Sequence, residues 1–121
     1  MTQVLIVEDV EEMREMIAGL LGEATGIKVS GKAANTWEAR LEIDRRRPDV
    51  VLLDELLPGE SSFDLLKELD ELRIGVVLMT GMEDRTGALP KGASSRIIKP
   101  DWDSFAESTP RLVSALLAAV R

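Results

Sequence analysis

Two acidic pairs close apolar runs in this chain: Glu8-Asp9 follows Gln3–Val7 (QVLIV), and Asp54-Glu55 follows Val50–Leu53 (VVLL). Thr80 ends a third run, GVVLMT, and Lys99 follows a short fourth at Arg96–Ile98. A carboxylate carried to the end of a buried run needs a partner, because an isolated charge is costly to desolvate. Brought together, three acids, a hydroxyl and a lysine make an acidic pocket with one cationic and one neutral donor. Such hard oxygen ligands suit Mg²⁺, which takes a few carboxylates and keeps several waters. A carboxylate there is also a nucleophile toward a phosphoryl group, with metal and lysine offsetting charge and the hydroxyl bonding a transferring oxygen. Taken singly, each residue has a plainer reading. Asp9 with Glu12 makes a capping box, Asp54-Glu55 marks a strand leaving the core, Thr80 is a β-branched strand residue, and Lys99 is a surface lysine before a proline. Convergence is what favours chemistry.

Convergence requires elements that deliver these residues to one place. The continuous apolar runs read as strands buried on both faces, with a weaker one at Ile27–Ala33. Between them, Met13, Met16, Ile17, Leu20 and Leu21 recur at helical spacing. Thr36 is placed to cap a second helix that carries Trp37 and Leu41 and that Pro48 forbids to continue. Ser61 or Ser62 opens a third, with Phe63, Leu66 and Leu69 on one side. The tail from Ser104 to Val120 is helical by pattern, interrupted early by Pro110. Gly81–Ser95 holds three glycines and a proline where the alternation calls for a helix, so at best a short or distorted one fits. Strand then helix, repeated, implies an α/β fold with a parallel sheet covered on both faces. In such sheets the working site lies outside the carboxyl ends of the strands, which is where the acids, Thr80 and Lys99 fall.

Composition narrows the chemistry. At 121 residues, 45% hydrophobic and 31% charged, the chain suits one domain spanning 1–121. Fifteen basic against 22 acidic residues give a net charge of −7, the wrong sign for phosphate-backbone binding, so no nucleic-acid contact is expected. Arg45-Arg46-Arg47 reads as the solvated end of a helix. Without histidine the chain lacks the commonest general base and any internal phosphohistidine relay. No apolar run approaches the roughly 20 residues that span a bilayer. The start MTQVLIVEDV does not read as a signal peptide, and cysteine is absent, so a cytoplasmic location without membrane contact is expected.

The ordered set Glu8-Asp9, Asp54 with Pro58-Gly59, Thr80-Gly81 and Lys99-Pro100 resembles the receiver domain of two-component response regulators, over essentially the whole chain. The stretches GKAANTWEARLEIDRRRPDVVLLD and KGASSRIIKP are most similar to receivers of the chemotaxis methylesterase type, here with no effector domain expected after them. The resemblance implies a flavodoxin-like (βα)5 doubly wound sheet in strand order 2-1-3-4-5, with a shortened or degraded fourth helix. It implies that Asp54 accepts a phosphoryl group from a histidine kinase or phosphotransfer protein. Glu8, Asp9, Asp54 and the backbone carbonyl of Leu56 would hold Mg²⁺, Lys99 would pair with phosphorylated Asp54, and Thr80 would bond a phosphoryl oxygen. It also implies a downstream protein partner and no turnover of a substrate; the Lys99-Pro100 bond is commonly cis in receivers, and the sequence leaves its state here open. Glu55 is left as a bystander.

Three departures bear on mechanism. Arg96 stands where receivers usually carry a rotating aromatic. Gly87, Pro90 and Gly92 degrade the helix that helps form the usual dimer face, so that dimer is not expected. Leu56 and Met82, two residues beyond Asp54 and Thr80, are apolar where polar groups orient attacking water, which should slow self-dephosphorylation. Two rival readings stand: a pseudo-receiver acting by constitutive contact, and a Mg²⁺-dependent aspartyl phosphohydrolase. Against the latter, Leu56 occupies the place of the second acid in a D-x-D nucleophile motif.

Overall fold

Strands with no polar alternation must be covered on both sides, and the computed structural model has that arrangement. It describes residues 1–81, 88–100, 103 and 105–121, excluding the side chains of Phe105 and Ala106. The elements run β1 (Thr2–Val7), α1 (Glu11–Gly22), β2 (Ile27–Ala33), α2 (Thr36–Arg45), β3 (Val50–Asp54), α3 (Ser62–Glu71), β4 (Gly75–Thr80), β5 (Ser95–Ile98) and α4 (Phe105–Ala119). The five strands pair in parallel in the order β2-β1-β3-β4-β5, the flavodoxin-like order. The register of β1 against β2 shifts once, between Val4 and Leu5.

Period-two alternation sorts the buried strand residues into two layers. Leu5, Val7, Val51, Leu53, Val76 and Leu78 meet Ala39, Leu65, Leu66 and Leu69 of α2 and α3. Val4, Ile6, Val50, Leu52, Val77 and Met79 meet Ile17, Leu21, Leu112 and Leu116 of α1 and α4. At the base of β4, a Cβ on Gly75 would lie 2.0 Å from the Ala119 carbonyl oxygen, so glycine is what lets the last turn of α4 sit directly on the sheet.

Several local expectations are corrected. Asn35, not Thr36, caps α2: its Oδ1 accepts from the Glu38 N–H at 2.8 Å, and Glu38 returns the bond to the Ala34 N–H at 2.9 Å. The Asp9–Glu12 capping box does not form. Val10 occupies the N-cap position of α1 without a side-chain cap, and Glu8 takes the Val10 N–H at 3.0 Å. In α3 it is Ser62, Leu65, Leu66 and Leu69 that are buried, while Phe63 is exposed. Pro110 lies inside α4 without ending it. The helix forgoes one backbone bond there, and its apolar stripe of Leu112, Leu116 and Ala119 carries it on. The described residues contain no cis peptide bond, so Lys99-Pro100 is trans.

Between β4 and β5, Gly81 and residues 88–94 hold no helix, only a turn at Lys91–Gly92. Residues 82–87 lie outside the described residues. Among the described residues, no helix is long and apolar enough to cross a membrane.

Candidate functional site

Because all strands are parallel, their carboxyl ends open on one rim. β1 runs into Glu8 and Asp9, and the Glu8 N–H bonds the Ala33 carbonyl at the end of β2, extending the ladder one residue. β3 ends on Asp54 itself. The ladder again continues past it, with the Glu55 N–H on Met79 O at 3.0 Å, and the Lys99 N–H on Thr80 O at 2.7 Å closes β5 against β4. These extra bonds fix the backbones that carry the acids, the hydroxyl and the lysine.

The side chains converge. One carboxylate oxygen from each of Glu8, Asp9 and Asp54 lies within 4.8 Å of the others. Lys99 Nζ sits between two of them, 2.9 Å from Asp54 Oδ2 and 2.7 Å from Glu8 Oε1. Glu8 and Asp54 are buried, Asp9 is partly open, and the Lys99 side chain is 21% exposed. The other Asp54 oxygen accepts the Leu56 N–H at 3.0 Å, and Ser62 Oγ donates to the Asp54 backbone carbonyl at 2.7 Å, fixing the main chain that carries the carboxylate. Thr80 is buried at the end of β4. Leu56 is exposed beside the pocket.

Burial dominates the electrostatics of Glu8 and, against the pull of Lys99 and the Val10 N–H, holds its carboxyl above the usual range. For Lys99, burial works to lower the ammonium, but its bonds to Glu8 and Asp54 outweigh this and raise it. Lys99 is therefore a fixed cation at neutral pH. An all-carboxylate donor set on one partly open rim fits a hard divalent ion such as Mg²⁺.

Of the residues singled out from sequence, Glu8, Asp9, Asp54 and Lys99 meet in one cluster, with Thr80 and Leu56 on the same rim. Met82 and Trp102 lie outside the described residues. Arg96 is not in the pocket. Its Nε donates to Glu55 Oε1, with the Glu55 side chain fully buried and that of Arg96 14% exposed. Glu55 stays out of the acid cluster, as expected, and holds Arg96 instead. Strand parity holds the signal for it, since Glu55 shares a face with Leu53 and, across β4, with Arg96. Two further residues went unread. Arg14 Nη1 donates to the Glu8 carbonyl at 2.9 Å. Glu60, in the loop after Asp54, accepts from the Thr36 N–H at 3.1 Å and from its hydroxyl. Arg40 joins that contact to α3 through Glu68 at 2.6 Å. A cation in the first turn of the helix that follows an acid pair, as Arg14 stands after Glu8-Asp9, is the available cue; for Glu60 there is none.

The comparisons with known proteins agree with this geometry. Residues 4–107 match the model of the response regulator receiver domain. The chain is 39% identical over 124 residues to the phosphate regulon transcriptional regulatory protein PhoB of Pseudomonas aeruginosa, covering 97% of this chain and 50% of that protein. It is 36% identical over 104 residues to the protein-glutamate methylesterase/protein-glutamine glutaminase of Rhizobium etli, covering 81% of this chain and 30% of that one. It thus spans half or less of the length of these curated relatives. The response regulator domain of Thermotoga maritima CheB has the same fold, with a TM-score of 0.84 at 24% identity over 98% of this chain and 95% of that one. Continuous parallel strands in this order, acids at their carboxyl ends and a matching family model lead to one placement: the chain belongs to the response regulator receiver domain family.

Proposed function

We propose that this receiver is phosphorylated on Asp54, taking a phosphoryl group from a histidine kinase or phosphotransfer protein and passing the change to a downstream protein by altered contacts. The observation that carries the reading is the Asp54 carboxylate: one oxygen is held by the Leu56 N–H and the other by Lys99, in a cluster with Glu8 and Asp9. A carboxylate oxygen of Asp54 attacks phosphorus, the P–N bond to the donor imidazole breaks, and its electron pair stays on the imidazole. Lys99 offsets charge on the phosphoryl oxygens, and the Thr80 hydroxyl donates to one of them. Glu8, Asp9, Asp54 and the Leu56 carbonyl would hold Mg²⁺, which supplies charge neutralisation for the transfer. Apolar Leu56 at the rim orients no attacking water, so the acyl phosphate is long-lived. The chain turns over no substrate of its own, and it works in the cytoplasm as a protein-contact module without nucleic acid, membrane or obligate dimer.

A constitutive interaction module is the second reading, favoured by an Arg96 tied in an ion pair rather than free to rotate. Incubation with Mg²⁺ and a small phosphodonor, or with beryllofluoride, followed by intact mass, decides between them. A stable adduct lost in Asp54→Ala supports phosphorylation. Absence of an adduct supports the constitutive module, and rapid multiple-turnover phosphate release points to a hydrolase.

A further inference from the structure

The first turn of a helix leaves its N–H groups without partners inside the helix. At the start of α2 two of these groups are met from different places. The Glu38 N–H donates to Asn35 Oδ1 at 2.8 Å, a cap supplied by the residue just before the helix. The Thr36 N–H donates at 3.1 Å to Glu60 Oε2, which also accepts the Thr36 hydroxyl. Glu60 lies 24 residues further along, in the loop that leads out of Asp54. One helix end is therefore capped twice, once by its own neighbour and once by the rim of the site.

The loop is compact. In Leu57-Pro58-Gly59-Glu60 the Glu60 N–H bonds the Leu57 carbonyl at 3.2 Å and Gly59 has φ +74°, the arrangement that proline followed by glycine favours in a type II turn. Leu57 is buried in the α2–α3 layer. Leu56 has its N–H on Asp54 Oδ1, but its side chain is 60% exposed and gives the peptide little anchorage. The turn carries the Glu60 carboxylate to α2, and the anchor there is itself held. Thr36 is buried, and Arg40, one turn on, donates to its hydroxyl at 3.3 Å while gripping Glu68 of α3.

We propose that Glu60 is a positioning residue for the metal site: by fastening the β3–α3 loop to the start of α2, it presets the Leu56 peptide, whose N–H bonds Asp54 and whose carbonyl is offered to Mg²⁺. This rests on the proposed Mg²⁺ site at Glu8, Asp9 and Asp54. Mg²⁺ demands near-ideal octahedral geometry, so a ligand loop free to shift costs affinity.

The test uses the full chain and compares two cuts at the same helix end. Glu60→Ala severs the loop from α2, whereas Asn35→Ala removes the cap that involves no loop. Both should lower the urea midpoint, because both leave a helix N–H unmet. Calorimetric titration with Mg²⁺, at a temperature where circular dichroism shows every variant folded, separates them. Glu60→Ala should weaken Mg²⁺ binding about tenfold, and Asn35→Ala should leave it unchanged. Glu60→Gln removes the charge but keeps an acceptor oxygen for Thr36, so it should recover most of the affinity. The proposal is overturned by a Glu60→Ala chain at wild-type affinity, by an Asn35→Ala chain weakened equally, or by a Glu60→Gln chain as weak as Glu60→Ala, which would make the effect one of charge. A wild-type chain that binds no Mg²⁺, or an Asp54→Ala chain that binds it as tightly as wild type, overturns the metal site itself, and these two arms tell the failures apart.

Discussion

Lys99→Met keeps the length of the side chain and deletes its charge, leaving Glu8 and Asp54 to face each other across the space the ammonium filled. Both acid side chains are essentially without solvent contact, at 0% and 1% exposure, and Lys99 lies 2.7 and 2.9 Å from them. Removing one partner of a buried ion pair costs roughly 3–5 kcal/mol. The 21% exposure of the lysine lets some water in, which places the expected loss near the lower end, about 3 kcal/mol. For a chain of this size that corresponds to a drop of about 10 °C in Tm. A divalent ion supplies the missing charge, so Mg²⁺ at about 10 mM should stabilise the variant more than the wild type, whose lysine already offsets part of the acid charge. Urea unfolding followed by circular dichroism, with and without Mg²⁺, reads both effects. A loss below about 1 kcal/mol, or an equal Mg²⁺ increment in the two proteins, would refute the claim that Lys99 is the main compensating charge of this pocket.

Protons and metal should compete for Glu8, whose carboxyl is raised from 4.5 chiefly by burial. A raised acid stabilises the fold fully below its unfolded value and loses that contribution as pH climbs through the raised one. Mg²⁺ affinity should move the opposite way, weakening as pH falls through that window, and calorimetric titration at several pH values checks it. Gly75→Ala would put a methyl group 2.0 Å from the Ala119 carbonyl oxygen, contact with backbone that cannot swing aside. It should destabilise by about 3 kcal/mol, and an unchanged urea midpoint would contradict the close packing of α4 on β4. Leu56→Asn and Met82→Glu would place polar groups two residues beyond Asp54 and Thr80. Each should shorten the lifetime of the phosphorylated protein, about tenfold together, and unchanged hydrolysis rates would defeat the idea.

The site was legible where chemistry coincides with a strand end. Glu8, Asp9, Asp54 and Lys99 could be collected because parallel strands share one functional rim, and continuous apolar runs reveal such strands without reference to partners. Asn35 was missed because Asn35 and Thr36 are equally plausible caps, and only the backbone shows which residue stays outside the helix. Arg96 and Glu55 looked unrelated because 41 residues separate them and their pairing depends on strand parity across β4. Pro110 misled because a local rule about proline is weaker than an apolar stripe that packs on the sheet. In the β4–β5 connection the described residues 88–94 hold no helix, in keeping with Pro90 and Gly92, while Gly87 lies outside the described residues.

β5 is four residues long, partly exposed and at the edge of the sheet. A strand of that kind is ordinarily the first to fray, opening and reclosing with little of the global free energy at stake. Here its carboxyl end is riveted at four points: Lys99 to Asp54 and to Glu8, Arg96 to Glu55, and the Lys99 amide to Thr80. Three of these are electrostatic, and two of the three are anchored on Asp54 and Glu55, consecutive residues where β3 ends. The charge state of the pocket therefore tunes how readily this margin unzips, and amide exchange along β5 becomes a gauge of what has happened at Asp54.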